Sequence, residues 1–280
     1  MIEDDLNNDE LNRIISEIRD GRKYHSLNLP ESTLRDLILQ ELPRYKTKAL
    51  AMQAVRKKLH NLVAPYLGDP DYDEVSLKLQ QAFVQSDRDG VETICKELLQ
   101  AHASTYERIP ILTDFYSRLF SITGMPEVIL DLACGLNPFA IPWMGLEKTV
   151  QYHAYDIHLP RIQLINQFMQ GWGMKPLAEQ KDILVEPPEI EADVAFFFKE
   201  AHRFELRQHG CNRAFWQRCQ VKWLLVSLPS ENLTGQHSMV DRQRRLVSNT
   251  LQGLDWKVEE VIFPTEIVFC IQPRWDHLNG

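Results

Sequence analysis

The chain has 280 residues, of which 44% are hydrophobic and 25% are charged, and these fractions are ordinary for a globular protein. No apolar run reaches about 18 residues, and the acidic N-terminus lacks a signal-peptide pattern, so the sequence predicts neither a membrane span nor secretion. The net charge of −8 argues against a general nucleic-acid coat, and the five scattered cysteines suit a reducing cytoplasm.

Residues 1 to about 100 are predicted to be all-helical, because Leu, Glu, Lys, Arg and Gln dominate them and β-branched clusters are few. Apolar residues recur at helical spacing over 10–18, and Thr33 with Asp36 resembles a capping box before another such run. A further amphipathic helix is predicted over 90–103. We place the domain boundary near residue 100, which gives a helical domain over 1–100 and a second domain over 101–280.

The most basic stretch of this acidic chain lies between positions 43 and 60, with six Lys or Arg residues and no acid. Ala51, Val55 and Leu59 form the predicted inward stripe, which leaves Lys57 and its two neighbours largely outward. The run is either a solvated helix face or a footprint for a phosphate backbone. The candidate RNA-binding residues are Lys46, Lys48, Arg56, Lys57 and Lys58.

From residue 128 the pattern changes to an alternation of strands and helices. Strands are predicted over 128–131, 151–156, 193–198, 223–228, 258–263 and 267–272, with a weaker one before Asp182. The central strands are almost continuously apolar, as is typical of strands buried on both faces. A gap of hairpin length separates the last two strands. The sequence therefore predicts a Rossmann-like α/β sheet, mostly parallel, with a terminal hairpin.

The first predicted strand runs into Asp131 and a turn of small residues, Ala133, Cys134 and Gly135. Ligands bind at the carboxyl ends of strands in open α/β sheets, and Gly135 lets the backbone approach a ligand closely. The turn is neither a P-loop nor a full G-x-G-x-x-G. Cys134 is open to interpretation as a nucleophile, but a small residue in a tight turn is the simpler explanation.

Two further acids follow the next strands. Asp156 ends the second strand, where a carboxylate can accept hydrogen bonds from both ribose hydroxyls; the alternative is a helix N-cap or a loop acid. Asp182 ends the third, where an acid and a neighbouring backbone N–H can read an adenine edge. Acids at three successive strand ends, without the glycines or cations that phosphates require, favour S-adenosylmethionine over NAD or ATP.

Several strings, taken together, resemble one family. They are His102-Ala-Ser-Thr-Tyr-Glu-Arg108, Leu130-Asp-Leu-Ala-Cys-Gly-Leu-Asn-Pro138, Asp156-Ile-His158, Asp182-Ile183, Phe198-Lys199, Glu205 and Val226-Ser-Leu-Pro229. In this order they resemble the aminoglycoside-resistance 16S ribosomal RNA methyltransferases, the Arm (FmrO-like) family, from about residue 20 to 275. The resemblance implies a seven-strand class I methyltransferase sheet with an all-helical N-terminal domain. It also implies transfer of a methyl group from S-adenosylmethionine to N7 of guanine 1405 in the decoding A-site of the assembled small subunit.

The resemblance implies roles for individual residues as well. Arg108 would form a bidentate pair with the methionine carboxylate of the cofactor, Lys199 would bridge cofactor and RNA, and Glu205 or Glu266 would hold the Watson–Crick donors of guanine. Guanine N7 carries an unprotonated lone pair, so no general base is required. The implied cofactor-binding residues are His102, Ser104, Thr105, Arg108, Asp131, Ala133, Cys134, Gly135, Asp156, Ile157, Asp182, Ile183 and Phe198. The implied catalytic residues are Lys199, Glu205 and Glu266, and no metal is expected: the spacing of His202, His209, Cys211 and Cys219 matches no common zinc finger.

The chain departs from the family pattern in two places. Glu200-Ala-His202 stands where two apolar residues and a proline usually follow Lys199, which adds a negative charge beside the cofactor pocket. Thr234-Gly-Gln-His-Ser238 replaces a glycine-rich basic loop that is expected to approach RNA. Two alternatives stay open: a methyltransferase with another ribosomal or macromolecular target, and a non-catalytic ribosome-binding protein. We expect a monomer that binds the small subunit through 16S rRNA and binds neither DNA nor membranes.

Overall fold

The computed structural model describes residues 8–21, 28–64, 68–231 and 239–274. The helices in these ranges are α1 (Asn8–Arg19), α2 (Glu31–Glu41), α3 (Lys48–Val63), α4 (Tyr72–Val84), α5 (Arg88–Gln100), α6 (Ala103–Tyr106), α7 (Leu112–Thr123), α8 (Leu159–Trp172), α9 (Ala201–Arg207), α10 (Cys211–Arg218) and α11 (Val240–Thr250). None of these described helices has the length and apolarity that crossing a membrane requires.

Seven strands form one sheet. They are β1 (Val128–Leu132), β2 (Gln151–Asp156), β3 (Ala178–Gln180), β4 (Ala192–Phe198), β5 (Val221–Pro229), β6 (Lys257–Ile262) and β7 (Glu266–Gln272). Their order is β3-β2-β1-β4-β5-β7-β6, and β7 is antiparallel to both of its neighbours. The predicted fold, a seven-strand class I methyltransferase sheet preceded by helices, is confirmed.

Side chains alternate between the two faces of the sheet, as the two-residue period of a strand requires. Phe196 and Phe198 of β4 belong to the core beneath α4, α5, α7 and α8, whereas Phe197 belongs to the core beneath α9, α10 and α11. The central strands are buried on both sides, which explains their continuous apolar sequence.

The N-terminal helices fall into two packing groups. Helices α1 to α3 share a separate apolar cluster, in which Ile157 is the contribution from the later part of the described chain. Helices α4 and α5 instead pack in the same core as the sheet. Gly171 of α8 permits this approach, because a Cβ atom there would lie 2.3 Å from the ring of Phe83 on α4. The packing thus divides between α3 and α4, whereas the boundary near residue 100 stays a prediction.

The predicted capping box at Thr33 and Asp36 is wrong. Helix α2 begins at Glu31 after Pro30, so Thr33 lies within the first turn rather than at the N-cap position. Its side chain is fully buried and donates a hydrogen bond to Asp182, across the boundary between α2 and the sheet. A long-range partner therefore replaces the local one that the sequence spacing indicated.

Candidate cofactor cleft and active site

A cleft of about 730 Å³ opens at the carboxyl ends of β1 to β5. The strand order reverses there between β1 and β4, which is where ligands bind in open α/β sheets. The volume lies within the range of about 300–1,000 Å³ that small-molecule sites occupy. All of the predicted cofactor-binding residues line the cleft, and so does Lys199, whereas Glu205 and Glu266 do not.

The turn after β1 is built on the buried carboxylate of Asp131. This carboxylate accepts hydrogen bonds from the Tyr152 hydroxyl at 2.6 Å and from Asn137 Nδ2 at 3.0 Å. Burial raises the pKa of Asp131 to about 7. Gly135 has a φ of +54°, and its backbone N–H donates a hydrogen bond to the Asp156 carboxylate. Burial raises the pKa of the Cys134 thiol well above its ordinary value, the opposite of what a thiolate nucleophile requires.

Asp156 at the end of β2 is held by three donors. Its carboxylate accepts from the backbone N–H groups of Gly135 and His158, each at 3.0 Å, and from Arg161 Nη1 at 3.1 Å. The N-cap of α8 is His158, so Asp156 is not a helix N-cap, whereas the interpretation as a loop acid stays open. These donors orient the Asp156 carboxylate before a ligand binds. Its ribose-binding role stays a prediction.

The sequence patterns did not indicate Arg161, which lines the cleft, or its partner Asp69. Arg161 Nη2 donates to both carboxylate oxygens of Asp69 at 2.9 and 2.8 Å, and Arg161 Nε donates to the Tyr72 hydroxyl at 3.0 Å. The Nε2 atom of His102 lies 2.6 Å from Oδ1 of Asp69. The network fastens the start of α4 and the start of α6 to α8. No local pattern signals it, because Asp69 and Arg161 are 92 positions apart.

Arg108 is fully buried under the cleft and already has a bidentate partner. Its Nε and Nη2 atoms donate to the two oxygens of Glu266 at 2.5 and 2.7 Å. Its guanidinium lies between the rings of Phe115 and Phe198, 4.7 and 4.4 Å from their centroids. Burial acts to raise the pKa of Glu266, but Arg108 outweighs it and holds that pKa below its ordinary value. Glu266 is thus placed to hold Arg108 rather than to reach a base in the cleft.

Lys199 and Glu205, two other predicted catalytic residues, lie in different places. Lys199 follows β4 with a φ of +59°, lines the cleft, and forms an ion pair with Glu107. Glu205 on α9 accepts hydrogen bonds from the Gly210 N–H at 2.7 Å and from Asn212 Nδ2 at 2.9 Å. These bonds tie Glu205 to the start of α10 and away from the cleft.

The first departure from the family pattern does lie in the cleft. Glu200 and His202 both line it, and Glu200 forms an ion pair with Arg203 at 3.1 Å. Burial raises the pKa of Glu200 to about 7. The second departure, Thr234-Gly-Gln-His-Ser238, lies outside the described residues. Within the ranges that the structure covers, no group of three His, Cys, Asp or Glu side chains is arranged to hold a metal ion.

The candidate RNA-binding cations in α3 and in the turn before it do not all face solvent. Lys46, Arg56 and Lys57 are exposed. The outward orientation predicted for Lys58 is wrong: its side chain is 23% exposed and its ammonium lies 2.7 Å from the buried carboxylate of Glu41. Lys48 forms an ion pair with Glu10. The flexible four-carbon stem of a lysine lets it reach such partners, which helical periodicity does not reveal.

The cleft residues fit an adenosine-type cofactor. Three carboxylates, Asp131, Asp156 and Asp182, line it at the ends of β1, β2 and β3, where they would repel phosphates and accept hydrogen bonds from hydroxyl and amino groups. The sheet order and this set of acids define a class I methyltransferase. The family described as ribosomal RNA methyltransferase (FmrO) matches residues 20–270. The chain belongs to this family, which confirms the predicted kinship.

Individual relatives agree with this result. The chain is 24% identical over 269 residues to the 16S rRNA (guanine(1405)-N(7))-methyltransferase of Micromonospora echinospora, which covers 94% of this chain and 97% of that protein. It is 28% identical over 226 residues to the protein of the same name from Serratia marcescens, which covers 81% and 83%. The solved structure of the 16S rRNA methylase RmtB has a TM-score of 0.75 at 24% identity over 94% of this chain and 98% of that one, so the fold is shared.

Proposed function

We propose that the protein transfers a methyl group from S-adenosylmethionine to N7 of guanine 1405 of 16S rRNA, in the decoding site of the assembled small ribosomal subunit. This modification would confer aminoglycoside resistance. The observation that carries the proposal is the cleft at the β1/β4 reversal, where carboxylates end three successive strands in a chain of this family. The name shared by the relatives supports the choice of nucleotide and atom.

The protein contributes mainly alignment, because methyl transfer from a sulfonium is an in-line displacement. S-adenosylmethionine supplies the methyl group when bound. Asp156 and Asp182 would accept hydrogen bonds from the ribose hydroxyls and the adenine amino group, and both are held by protein donors before binding. The lone pair of guanine N7 is the nucleophile, so the chain needs no base to activate it.

The floor of the cleft would receive the methionine end of the cofactor. Among the contacts of the described residues, Arg108 uses Nε, both Nη2 hydrogens and one Nη1 hydrogen on Glu266, Ser227 and Asn137. One Nη1 hydrogen is left for a carboxylate oxygen of the ligand. This single bond replaces the bidentate pairing that the resemblance implied for Arg108. The ion pair of Lys199 with Glu107 lies in the same cleft, where an incoming phosphate can compete for the ammonium group.

The exposed cations of α3 and the turn before it would contact ribosomal RNA. Lys46, Arg56 and Lys57 are the exposed members of the predicted set, and cations of this kind bind phosphates through release of counterions. In this proposal the protein acts as a monomer on cytoplasmic ribosomes. The helices dock on the subunit while the sheet carries out the transfer.

The decisive experiment incubates the purified protein with methyl-labelled S-adenosylmethionine and intact small subunits from a susceptible bacterium. The methylated nucleotide is then mapped by cleavage at N7-methylguanine. Label at guanine 1405 is the expected result, and an Asp156→Ala variant should give none. Label at another nucleotide would contradict the proposed target while keeping the reaction. Absence of label, with cofactor binding measured separately, would contradict rRNA as the substrate.

A further inference from the structure

We propose that the N-terminal helices form part of the cofactor site, because Thr33 of α2 and Arg207 of α9 position the carboxylate of Asp182 for the adenine amino group. This inference deepens the proposed function and rests on it. It makes Thr33 and Arg207 positioning residues that act on the cofactor through Asp182. The contacts that support it lie at the boundary where α2 and α3 meet the β3 end of the sheet.

Thr33 makes a buried contact over a long sequence distance. Its hydroxyl donates to Asp182 Oδ2 at 2.8 Å, although the two residues are 149 positions apart. Thr33 is fully buried and Asp182 is 2% exposed, so water does not compete for this bond. A hydroxyl inside a helix ordinarily bonds to its own backbone or to solvent. Here the Thr33 hydroxyl donates instead to a carboxylate that lines the cleft.

Arg207 of α9 contacts the same carboxylate. Its Nη1 donates to Asp182 Oδ1 at 2.9 Å, and its Nη2 lies 2.7 Å from Asp182 Oδ2. The same Nη2 donates to Asp36 of α2 at 2.9 Å. Arg207 therefore bridges an acid of the helical region and an acid of the cleft, and its side chain is 9% exposed.

The orientation of the Asp182 carboxylate is therefore determined before a ligand binds. It accepts hydrogen bonds from Thr33, Arg207 Nη1 and, at 3.2 Å, the backbone N–H of Leu184. Arg207 Nη2, 2.7 Å from Oδ2, is a fourth neighbour, so these contacts approach the roughly four lone-pair sites of a carboxylate. The 3.2 Å bond from Leu184 is the longest of them and is the one that a donor in the cleft would displace. The exocyclic amino group of adenine is such a donor. Removing Thr33 Oγ1 would leave the Asp182 carboxylate to Arg207 and Leu184 alone, and it would then shift from the position that suits the amino group.

A second contact reinforces this boundary. Lys58 of α3 lies 2.7 Å from Glu41 of α2 and 3.3 Å from the backbone carbonyl of Arg207. The Lys58 ammonium thus joins α2 and α3 to the end of α9. If docking on α2 and α3 changes cofactor affinity through this boundary, cofactor binding changes docking affinity by the same factor, because such linkage is reciprocal.

The test compares Thr33→Val, which keeps the shape and loses the hydroxyl, with Thr33→Ser, which keeps the hydroxyl. Binding of S-adenosylhomocysteine to the full-length protein is measured by calorimetry. A second ligand is the analogue with hydrogen in place of the adenine 6-amino group. Thr33→Val should weaken S-adenosylhomocysteine by about fivefold or more, the low end of measured couplings between sites. Thr33→Ser should bind like the wild type, and the analogue should bind equally to all three proteins.

Two results would overturn the inference: unchanged binding of S-adenosylhomocysteine by Thr33→Val, or an equal loss for both ligands. An equal loss for both ligands would mean that the Thr33 hydroxyl supports the fold rather than the hydrogen bond between Asp182 and the adenine amino group. If Thr33→Val does not fold, Asp36→Asn, which releases Arg207 at a partly exposed position, is judged by the same comparison. A wild-type protein that binds neither ligand would contradict the proposed function itself.

Discussion

Arg108 and Glu266 form the most buried ion pair of the cleft, with side chains 2% and 0% exposed. Removing one charge leaves the other buried without compensation, which typically costs about 3–5 kcal/mol. We therefore expect Glu266→Gln to lower the free energy of unfolding by about 3 kcal/mol or more, as measured by urea denaturation. Glu259→Gln, on the exposed part of β6, is the matched control and should change it by less than about 0.5 kcal/mol.

The same variant tests the catalytic role that the resemblance implied for Glu266. If Glu266→Gln kept wild-type stability and lost methylation, the carboxylate would be acting on the substrate rather than on Arg108. The position of Glu266 beneath the cleft favours a loss of stability instead, because a fully buried carboxylate with two guanidinium contacts cannot also reach a base.

Glu200 provides a prediction about pH. Burial raises its pKa in the folded protein to about 7 from the ordinary value of 4.5. The folded state therefore holds the proton more tightly than the unfolded state does. Its contribution to stability is fully present below about pH 4.5 and is lost as the pH rises to about 7.

Glu200→Gln removes this dependence. The stability of the variant relative to the wild type should therefore rise between pH 5 and pH 8, as measured by urea denaturation at about these two values. The side chain of Glu200 is 19% exposed, so we expect the direction rather than a large magnitude. A difference between variant and wild type that is the same at both pH values would contradict the predicted titration.

At the scale of the element, α3 carries two kinds of cation. Arg56 and Lys57 are exposed, whereas Lys58 is part of the boundary with α9. We expect Arg56→Gln with Lys57→Gln to weaken small-subunit binding. The slope of log affinity against log salt should fall by about 1 for each residue. Subunit binding at several salt concentrations measures this slope. Cofactor affinity should be unchanged, as calorimetry with S-adenosylhomocysteine would show.

Two controls define this prediction. Lys78→Gln removes an exposed cation of α4 and should leave the salt slope unchanged. Lys58→Gln should lower cofactor affinity as well, because it loosens the helices that hold Asp182. A loss of cofactor affinity in the Arg56 and Lys57 variant would contradict the separation of docking from cofactor binding on this helix.

At the scale of the whole molecule, α4 and α5 behave as part of the methyltransferase core. Leu79, Val91, Leu98 and Leu99 are at most 2% exposed and share the cluster of the sheet. Each fully buried side chain of this size contributes about 1.5–3 kcal/mol. Together they are comparable with the net stability of a typical domain, about 5–15 kcal/mol.

Two truncations follow from this packing. A chain of residues 65–280 should unfold cooperatively, because the α1–α3 cluster is removed as a unit. A chain of residues 101–280 should aggregate, because the apolar face of the sheet loses its cover. Circular dichroism during thermal unfolding would distinguish them. A folded 101–280 chain would support the domain boundary predicted from sequence and contradict the packing argument.

Much of this molecule was determined by local sequence. The alternation of strand-like and helix-like stretches located six of the strands to within about two residues, and the continuous apolar runs correctly marked β4 and β5 as buried on both faces. The acids and small residues at strand ends located the cleft, because the carboxyl ends of parallel strands meet at one edge of a sheet. These features depend on neighbours in the chain or on the regular geometry of the sheet.

The pairing of charged and polar groups depends instead on tertiary packing. Thr33 with Asp182, Asp69 with Arg161, and Arg108 with Glu266 are separated by 149, 92 and 158 positions. A hydroxyl or a charge carries no periodic signal, and its partner depends on which surfaces the folded elements bring together. The sequence therefore determined where the cofactor cleft lies, while tertiary packing decided which side chains hold its acids in place and which are free to meet a ligand.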